Sequence, residues 1–378
     1  MAGLISVAVT GAGGFLGKNL CVSLQRRGDV QLHELHSSSL AEEVEVALDS
    51  ADVIFHLAGV NRPKTTEEFQ IGNVETTRSI VQHIEASGRR PVVVFASSTQ
   101  AESDTPYGLS KVAAENELRM FARQTGCRVH IFRLPGIFGK WCRPNYNSVV
   151  ATFCHNVAHC LPIVVSDTAR ELELLYVDDV IRTFNAVVSG EEPPNVNGLY
   201  SVYPTYRLTL GWLANIITSF RESRTTLQLA DFGDELIRKL YATYLSYVPT
   251  NEFDYALQQR SDERGVLAEL LKSQHFGQVF VSRTRPGITR GDHYHDSKAE
   301  KFCVVEGDAV IRFRNILSDE VLEYPVNGRG FRVVDIPPGY THSIENVGDG
   351  EMIVLFWASE VFDPQAPDTH SLKVLQSY

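Results

Sequence analysis

Two groups of side chains have the types and spacing to do chemistry, and they lie in different halves of the chain. In GDHYHDSKAE, residues 291–300, His293 and His295 stand two apart and Glu300 follows five further on. Alternate residues of a strand share a face, so both imidazoles look into one interior while Tyr294 points away. His342, just after the turn PPGY, is a fourth candidate donor. Three imidazoles and a carboxylate suit zinc, nickel, iron or manganese. A lone His-x-His pair is more often a surface or hydrogen-bonded pair. Four donors on segments that must meet inside one barrel favour a metal.

The earlier group is PYGLSK. Tyr107 and Lys111 stand four apart there, on one face of an expected helix. A free tyrosine, with a pKa near ~10, is a poor acid or base at neutrality. The nearby ammonium is expected to favour the phenolate and bring that pKa down. Ser98, in FASST, ends an apolar strand-like run and can hydrogen-bond the same substrate oxygen. The three form a relay that moves a proton on and off a carbinol oxygen while hydride moves on carbon.

A site for the hydride carrier opens the chain. Gly11-Ala12-Gly13-Gly14-Phe15-Leu16-Gly17 follows a strand-like run and leads into a helix. Gly11 permits the tight turn, Gly14 lets backbone approach a pyrophosphate, and Gly17 allows close helix packing. Amides at the helix N-terminus then supply an anion site. The second strand is expected to end at His36-Ser37-Ser38-Ser39, a neutral tip rich in donors. An NAD-preferring site usually has a carboxylate there, and Glu34 falls one or two residues too early. The neutral tip accommodates a 2′-phosphate, so the expected cofactor is NADP(H).

The elements that must hold these residues are legible too. SVAVT, DVIFHLAG, PVVVFASS and CRVHIFRLP are continuous apolar runs, as in parallel strands buried on both faces. GKNLCVSLQRRG and GLSKVAAENELRMFARQTG between them read as helices, the second stopped by Gly126. The result is an α/β, Rossmann-type doubly wound parallel sheet. Helical patterning resumes in LGWLANIITSFRES and DELIRKLYATYLSYVP, up to Pro249. From about Phe276 to Ala358 short alternating runs dominate, separated by Gly, Pro and Asn, which predicts an all-β barrel or sandwich. The expected division is a cofactor-binding domain over residues 1–250 and a metal-binding all-β domain over 251–378. The pair His155 and His159, in FCHNVAHC, is a weaker metal candidate, since a half-buried helix face explains it without an ion.

Composition narrows the function classes. At 378 residues, two domains are the default. A net charge of −11 argues against non-specific nucleic-acid binding. No apolar run approaches the roughly 20 residues that span a bilayer, and MAGLISVAV lacks the basic region of a signal peptide. The six cysteines form no CxxC pair and read as reduced thiols, which implies a cytoplasmic location.

With TGAGGFLG, HLAG (56–59), Asn73 in GNV, YGLSK and YVDDV (176–180), residues 5 to 200 resemble the extended short-chain dehydrogenase/reductases that act on nucleotide sugars. The resemblance implies catalytic roles for Ser98, Tyr107 and Lys111. Around the cofactor it implies Gly11, Gly14, Phe15, Leu16, Gly17, His36, Ser37, Leu57, Ala58 and Gly59, with Tyr107 and Lys111. The stretch from Ser98 to Tyr107 is short for that family, so the working hydroxyl is Ser97, Ser98 or Thr99. Dehydratases of the family carry an acidic pair after the hydroxyl. Thr99-Gln100-Ala101 stands here instead, so ketone reduction is expected and water elimination is not.

Gly287, His293, His295, Glu300 and Gly307 reproduce the spacing of the first cupin motif, and Pro337, Gly339, His342 and Asn346 that of the second. Gly330 is one residue displaced. The resemblance implies His293, His295, Glu300 and His342 as metal ligands, with zinc the expected ion. A reductase followed by a cupin is similar to a family of bifunctional capsular polysaccharide enzymes. It implies a UDP-linked 4-keto-6-deoxy amino sugar as substrate, epimerised at C-3 and reduced at C-4. A cupin barrel with exposed edge strands commonly pairs with a copy of itself, so a homodimer is expected. The competing expectation is a nucleotide-sugar reductase or 4-epimerase whose cupin only binds sugar or mediates dimerisation. Tyr294, Tyr340 and Lys298 are the candidates for acid and base at C-3.

Overall fold

The computed structural model describes residues 3–376 except 254, 297 and 366. It divides into two compact units, one of residues 1–217 with 238–249 and one of 218–237 with 250–378. No helix among the described residues is long and apolar enough to cross a membrane.

The first unit starts with β1 (Ile5–Thr10), α1 (Phe15–Gln25), β2 (Val30–Leu35), α2 (Ala41–Ser50) and β3 (Val53–His56). A short turn α3 (Glu67–Phe69) runs through a π-helical stretch into α4 (Thr76–Ser87), then β4 (Val92–Ser98), α5 (Pro106–Thr125) and β5 (Val129–Leu134). There follow β6 (Gly136–Phe138), α6 (Val149–Ala158), β7 (Glu171–Tyr176), α7 (Val177–Val188), β8 (Asn195–Val196), β9 (Leu199–Tyr200) and β10 (Thr205–Thr209). The main sheet has the order β2-β1-β3-β4-β5-β9-β8, parallel from β2 to β9, and β10-β7-β6 form a second small sheet.

The apolar runs are continuous because the main sheet is buried on both faces. Val7, Val9, Phe55 and Val94 pack on one side with Leu20 of α1 and Phe184 of α7. Ala8, Ile54, Val93 and Phe95 pack on the other with Ile84 of α4 and Leu118 of α5. The chain turns to opposite sides after β1 and β3, so the carboxyl end of β1 is a topological switch point, where such sheets bind ligands.

Helices α8 (Leu210–Thr226) and α9 (Glu235–Leu245) lead to the β-rich part of the second unit. Its strands are β11 (Gln259–Asp262), β12 (Gly265–Ser273), β13 (Gly277–Thr284), β14 (Thr289–Tyr294), β15 (Glu300–Glu306) and β16 (Asp308–Asn315). They continue with β17 (Val321–Asn327), β18 (Val333–Ile336), β19 (Tyr340–Asn346), β20 (Met352–Ala358) and β21 (His370–Ser371). Two antiparallel sheets result, β11-β12-β13-β20-β15-β18 and β17-β16-β19-β14-β21. They enclose Phe302, Val304, Ile311, Phe313, Ile344, Val354 and Phe356. Strand structure begins at Gln259, before the Phe276 expected from alternation, and a last strand returns after Ala358.

Candidate functional site

The glycine turn has the geometry its residues require. Gly11 adopts φ +70°, and a Cβ there would stand 2.7 Å from the Ala58 nitrogen. A Cβ on Gly17 would stand 2.2 Å from the Gly11 carbonyl oxygen, so α1 packs onto the turn itself. Gly14 caps α1, and a Cβ there would lie 3.1 Å from the same oxygen. Only bare backbone fits this cradle, as a pyrophosphate requires.

The turn opens into a cleft of about 570 Å³, lined also by Leu57, Gly59, Ser98, Tyr107 and Lys111. At its β2 edge the tip is His36-Ser37-Ser38-Ser39, with the Ser39 hydroxyl accepting from the His36 amide at 3.0 Å. The His36 ring lies beside Gly13. Glu34 is exposed and accepts from the Gln25 amide. Asn73 ties the loop after β3 to α5, accepting from Val60 N at 2.7 Å and donating to Ser110 Oγ at 2.9 Å.

Helix α5 presents Tyr107 and Lys111. The Thr105 side chain caps it by accepting from Gly108 N, Pro106 starts it, and Gly126 ends it at φ +75°. Tyr107 and Lys111 face the end of β4, as their spacing predicts. The Ser98 side chain meets the Tyr107 hydroxyl. Of the other two hydroxyls, Ser97 is buried and committed to Glu115 at 2.6 Å, and Thr99 is exposed in the following turn.

One electrostatic expectation is corrected. Burial pushes the Tyr107 phenol up from its usual pKa, and the bond from Ser98 opposes this only partly. Lys111 does not supply the expected lowering. Its ammonium is turned to the Ala96 carbonyl at 2.8 Å and sits over the Phe95 ring. Burial pushes Lys111 down to about 8, with Glu115 opposing. Shared helix face did not mean shared direction of the charged tip.

In the second unit His293, His295, Glu300 and His342 bring one donor atom each within 4.8 Å of all the others. His293 and His342 come from neighbouring strands β14 and β19, His295 from the turn after β14, and Glu300 from β15 in the facing sheet. A bulge precedes His293, where Asp292 adopts φ +57° and Gly291 φ +105°. A Cβ on Gly291 would stand 2.6 Å from the His342 carbonyl oxygen, which explains the glycine.

Backbone carbonyls fix the tautomers. His295 Nδ1 bonds the Asp368 carbonyl and His342 Nδ1 bonds the Tyr340 carbonyl at 3.3 Å. Because a carbonyl only accepts, both Nδ1 atoms donate, and in the neutral tautomer that leaves a lone pair on each Nε2. Among the described residues those Nε2 atoms are buried without a hydrogen-bond partner, 3.3 and 3.4 Å from Glu300 Oε2. Burial pushes His293 down to about 4, which leaves its ring neutral. In that tautomer the inward-facing lone pairs and the carboxylate fit a divalent cation.

Lys298 is buried, with its Nζ 4.0 Å from Glu300 Oε1 and 3.3 Å from Thr369 Oγ1. Tyr294 instead stacks on His370, and Tyr340 packs against the barrel core. Asn346 holds loop ends together, donating to the Thr284 and Gly350 carbonyls. The His155 and His159 rings lie tilted to each other with centroids 4.1 Å apart, and among the described residues no third ligand joins them.

Two contributors escaped sequence reasoning. The segment 368–374 completes the barrel, since β21 pairs with β14 and Arg314 donates to the Lys373 and Val374 carbonyls. Glu115, fully buried and bonded by Arg133 through two nitrogens, sits one turn beyond Lys111. The only advance signal was an acid on the buried face of a helix.

Comparison with known proteins follows the same division. The family described as the NAD dependent epimerase/dehydratase family matches residues 7–200, and the polysaccharide biosynthesis C-terminal domain matches residues 260–370. A Pseudomonas aeruginosa UDP-2-acetamido-2,6-beta-L-arabino-hexul-4-ose reductase is 46% identical over 98% of this chain and 99% of its own length. The crystal structure of the capsular polysaccharide assembling protein CapF from Staphylococcus aureus superposes with a TM-score of 0.92 at 44% identity, covering 98% of this chain and all of that one. CapF with the inhibitor 3-isopropenyl-tropolone gives 0.87 at 40% identity, over 97% and 99% of the two chains.

Proposed function

Because the chain belongs to the NAD-dependent epimerase/dehydratase family and continues into a polysaccharide biosynthesis C-terminal domain, we propose that it is a bifunctional enzyme of nucleotide sugars. Its cofactor is a nicotinamide dinucleotide, and the neutral His36-Ser37 tip supports NADP(H). The reductase domain comprises residues 1–250 and the cupin domain 251–378. The substrate is a UDP-linked 2-acetamido-2,6-dideoxy-4-ketohexose. The cupin epimerises it at C-3 and the reductase domain reduces the C-4 ketone. The product is UDP-2-acetamido-2,6-dideoxy-L-talose, on the route to UDP-N-acetyl-L-fucosamine for capsule or O-antigen. Full-length likeness to the Pseudomonas reductase supports this substrate. The observation that carries the reading is that one chain holds both the Ser98–Tyr107 contact beside a glycine cradle and a buried four-donor cluster.

The residues account for both steps. NADPH, when bound, supplies the hydride for C-4. Tyr107 gives its phenolic proton to the oxygen there, and its raised pKa keeps that proton in place at neutral pH. Ser98 bonds the same oxygen and fixes its direction, while Lys111 lines the cleft one helical turn on. In the cupin a C-4 ketone acidifies the C-3 hydrogen, so a base can remove it and an acid return it on the other face. A divalent cation, most simply zinc, supplies Lewis-acid stabilisation of negative charge when bound by His293, His295, Glu300 and His342. Lys298 adds a positive charge at Glu300. Reduction consumes the epimerised ketone and draws the reversible step forward.

The same reading places the enzyme in the cytoplasm as a homodimer. Val305, Val333 and Leu355 are exposed on β15, β18 and β20, an apolar sheet face that a second copy would cover. The ketosugar incubated in deuterium oxide without NADPH tests the epimerase. Deuterium at C-3 is expected; its absence would reduce the cupin to a binding or dimerisation module. Stoichiometric NADPH loss on later addition tests the reductase. No loss would leave a 4-epimerase that recycles its own cofactor.

A further inference from the structure

Three consecutive residues of β4 are tied to three successive turns of α5. The Ala96 carbonyl accepts from Lys111 Nζ at 2.8 Å, Ser97 Oγ donates to Glu115 Oε1 at 2.6 Å, and the Ser98 side chain meets Tyr107. The middle tie is embedded in charge. Arg133 of β5 donates to Glu115 through Nε at 2.9 Å and Nη2 at 2.8 Å, and Arg119 stands 3.3 Å from Oε2. Arg133 also reaches Glu102 at 3.4 Å, in the turn that follows Ser98.

Such a cluster is a poor way to gain stability. Burying a carboxylate costs about what its partners return, and well-packed apolar residues commonly do as well. What it adds is direction, because a fork of two nitrogens on a planar carboxylate admits few geometries. We infer that Glu115 is a positioning residue of the reductase site, locking the strand end that presents Ser98 onto the helix face that presents Tyr107 and Lys111. This rests on the reading of the first domain as a ketone reductase.

Glu115 has a second line of action. Lys111 is faced by His56 of β3, the Phe95 ring and Ala96 carbonyl of β4, and Tyr107 and Glu115 of its own helix. His56 is neutral, pushed down to about 3 by burial and then by Lys111. Among the described residues, Glu115 is the carboxylate that acts on Lys111, and it favours the charged ammonium.

Two variants test the inference with NADPH consumption as readout. In Glu115→Gln the amide oxygen still accepts from Ser97, but the charge is gone. The basic limb of the pH profile should move to lower pH, and kcat should fall about tenfold or more. The KM for the ketosugar should stay within about twofold. In Ser97→Ala the Glu115–Arg133 pair survives and the strand tie is lost, so kcat should fall with the basic limb unmoved. Wild-type kcat and pH profile in both variants would overturn the inference. If Glu115→Gln does not fold, wild-type kcat in Ser97→Ala overturns it alone. A wild-type enzyme that consumes no NADPH would instead overturn the reductase reading.

Discussion

His293 and His342 stand directly opposite each other on neighbouring antiparallel strands, with ring centroids 4.6 Å apart. Register alone brings these two donors together, with no long side chain reaching across. This pair is therefore held by the ladder that carries it, and its ring nitrogens face the other two donors of the cluster.

Stripping the metal by chelation should lower the melting temperature. At a thousandfold excess of free metal over Kd, the lost stabilisation is about 4 kcal/mol. His342→Ala should bind less metal by elemental analysis and lose deuterium exchange at C-3, while NADPH binding persists. Equal melting temperatures with and without chelator would argue against a bound ion.

Tyr107→Phe removes the proton donor and keeps the ring packed on Phe69. Ketone reduction should fall by about a hundredfold or more. Deuterium exchange at C-3 should be untouched, since the exchanging site is in the other domain. Joint loss of both activities would defeat the two-site account.

Lys111 is cationic below about pH 8 and loses its proton above it. Reductase kcat/KM should therefore fall as pH rises through about 8. Stability moves the other way. The unfolded lysine keeps its proton up to about 10.5, so between these values the unfolded state binds more protons and this group's contribution to stability grows with pH. Activity and melting temperature followed together across that range should diverge. Parallel decline would mean that another group sets the limb.

Gly17→Ala places a methyl group 2.2 Å from the Gly11 carbonyl. The turn must shift, at a cost of about 1–3 kcal/mol, and dinucleotide binding should weaken with it. A variant that binds NADPH as tightly as the wild type would show the cradle to be dispensable.

Ser37→Asp puts a carboxylate at the tip of β2. Two charges ~4 Å apart repel by about 1 kcal/mol even in bulk water. The preference for NADPH over NADH should drop about fivefold or more in competing KM values. An unchanged ratio would place the 2′-phosphate elsewhere.

Most of this architecture is written locally. Continuous apolar runs announce buried parallel strands, and Thr105-Pro106 and Gly126 bound the helix that carries Tyr107. The four clustered donors are legible because a strand has period two and a barrel closes on itself. What escapes such reading depends on direction or on distance along the chain. Spacing puts Lys111 on the face of Tyr107, yet it does not say that the ammonium turns to Ala96. Glu115 and Arg133 meet only when α5 docks on β5. The extra residue at Asp292 is invisible as well, because a bulge shows only against a partner strand.

The bond from His295 to the Asp368 carbonyl joins residues 73 positions apart. A chain made from its N-terminus folds its earlier parts first. The dinucleotide cradle can thus assemble on the ribosome well before residues 368–371 emerge. Until that last strand pairs with β14, His295 Nδ1 lacks the carbonyl that holds it. The four-donor cluster therefore takes its final shape late in synthesis, well after the glycine cradle.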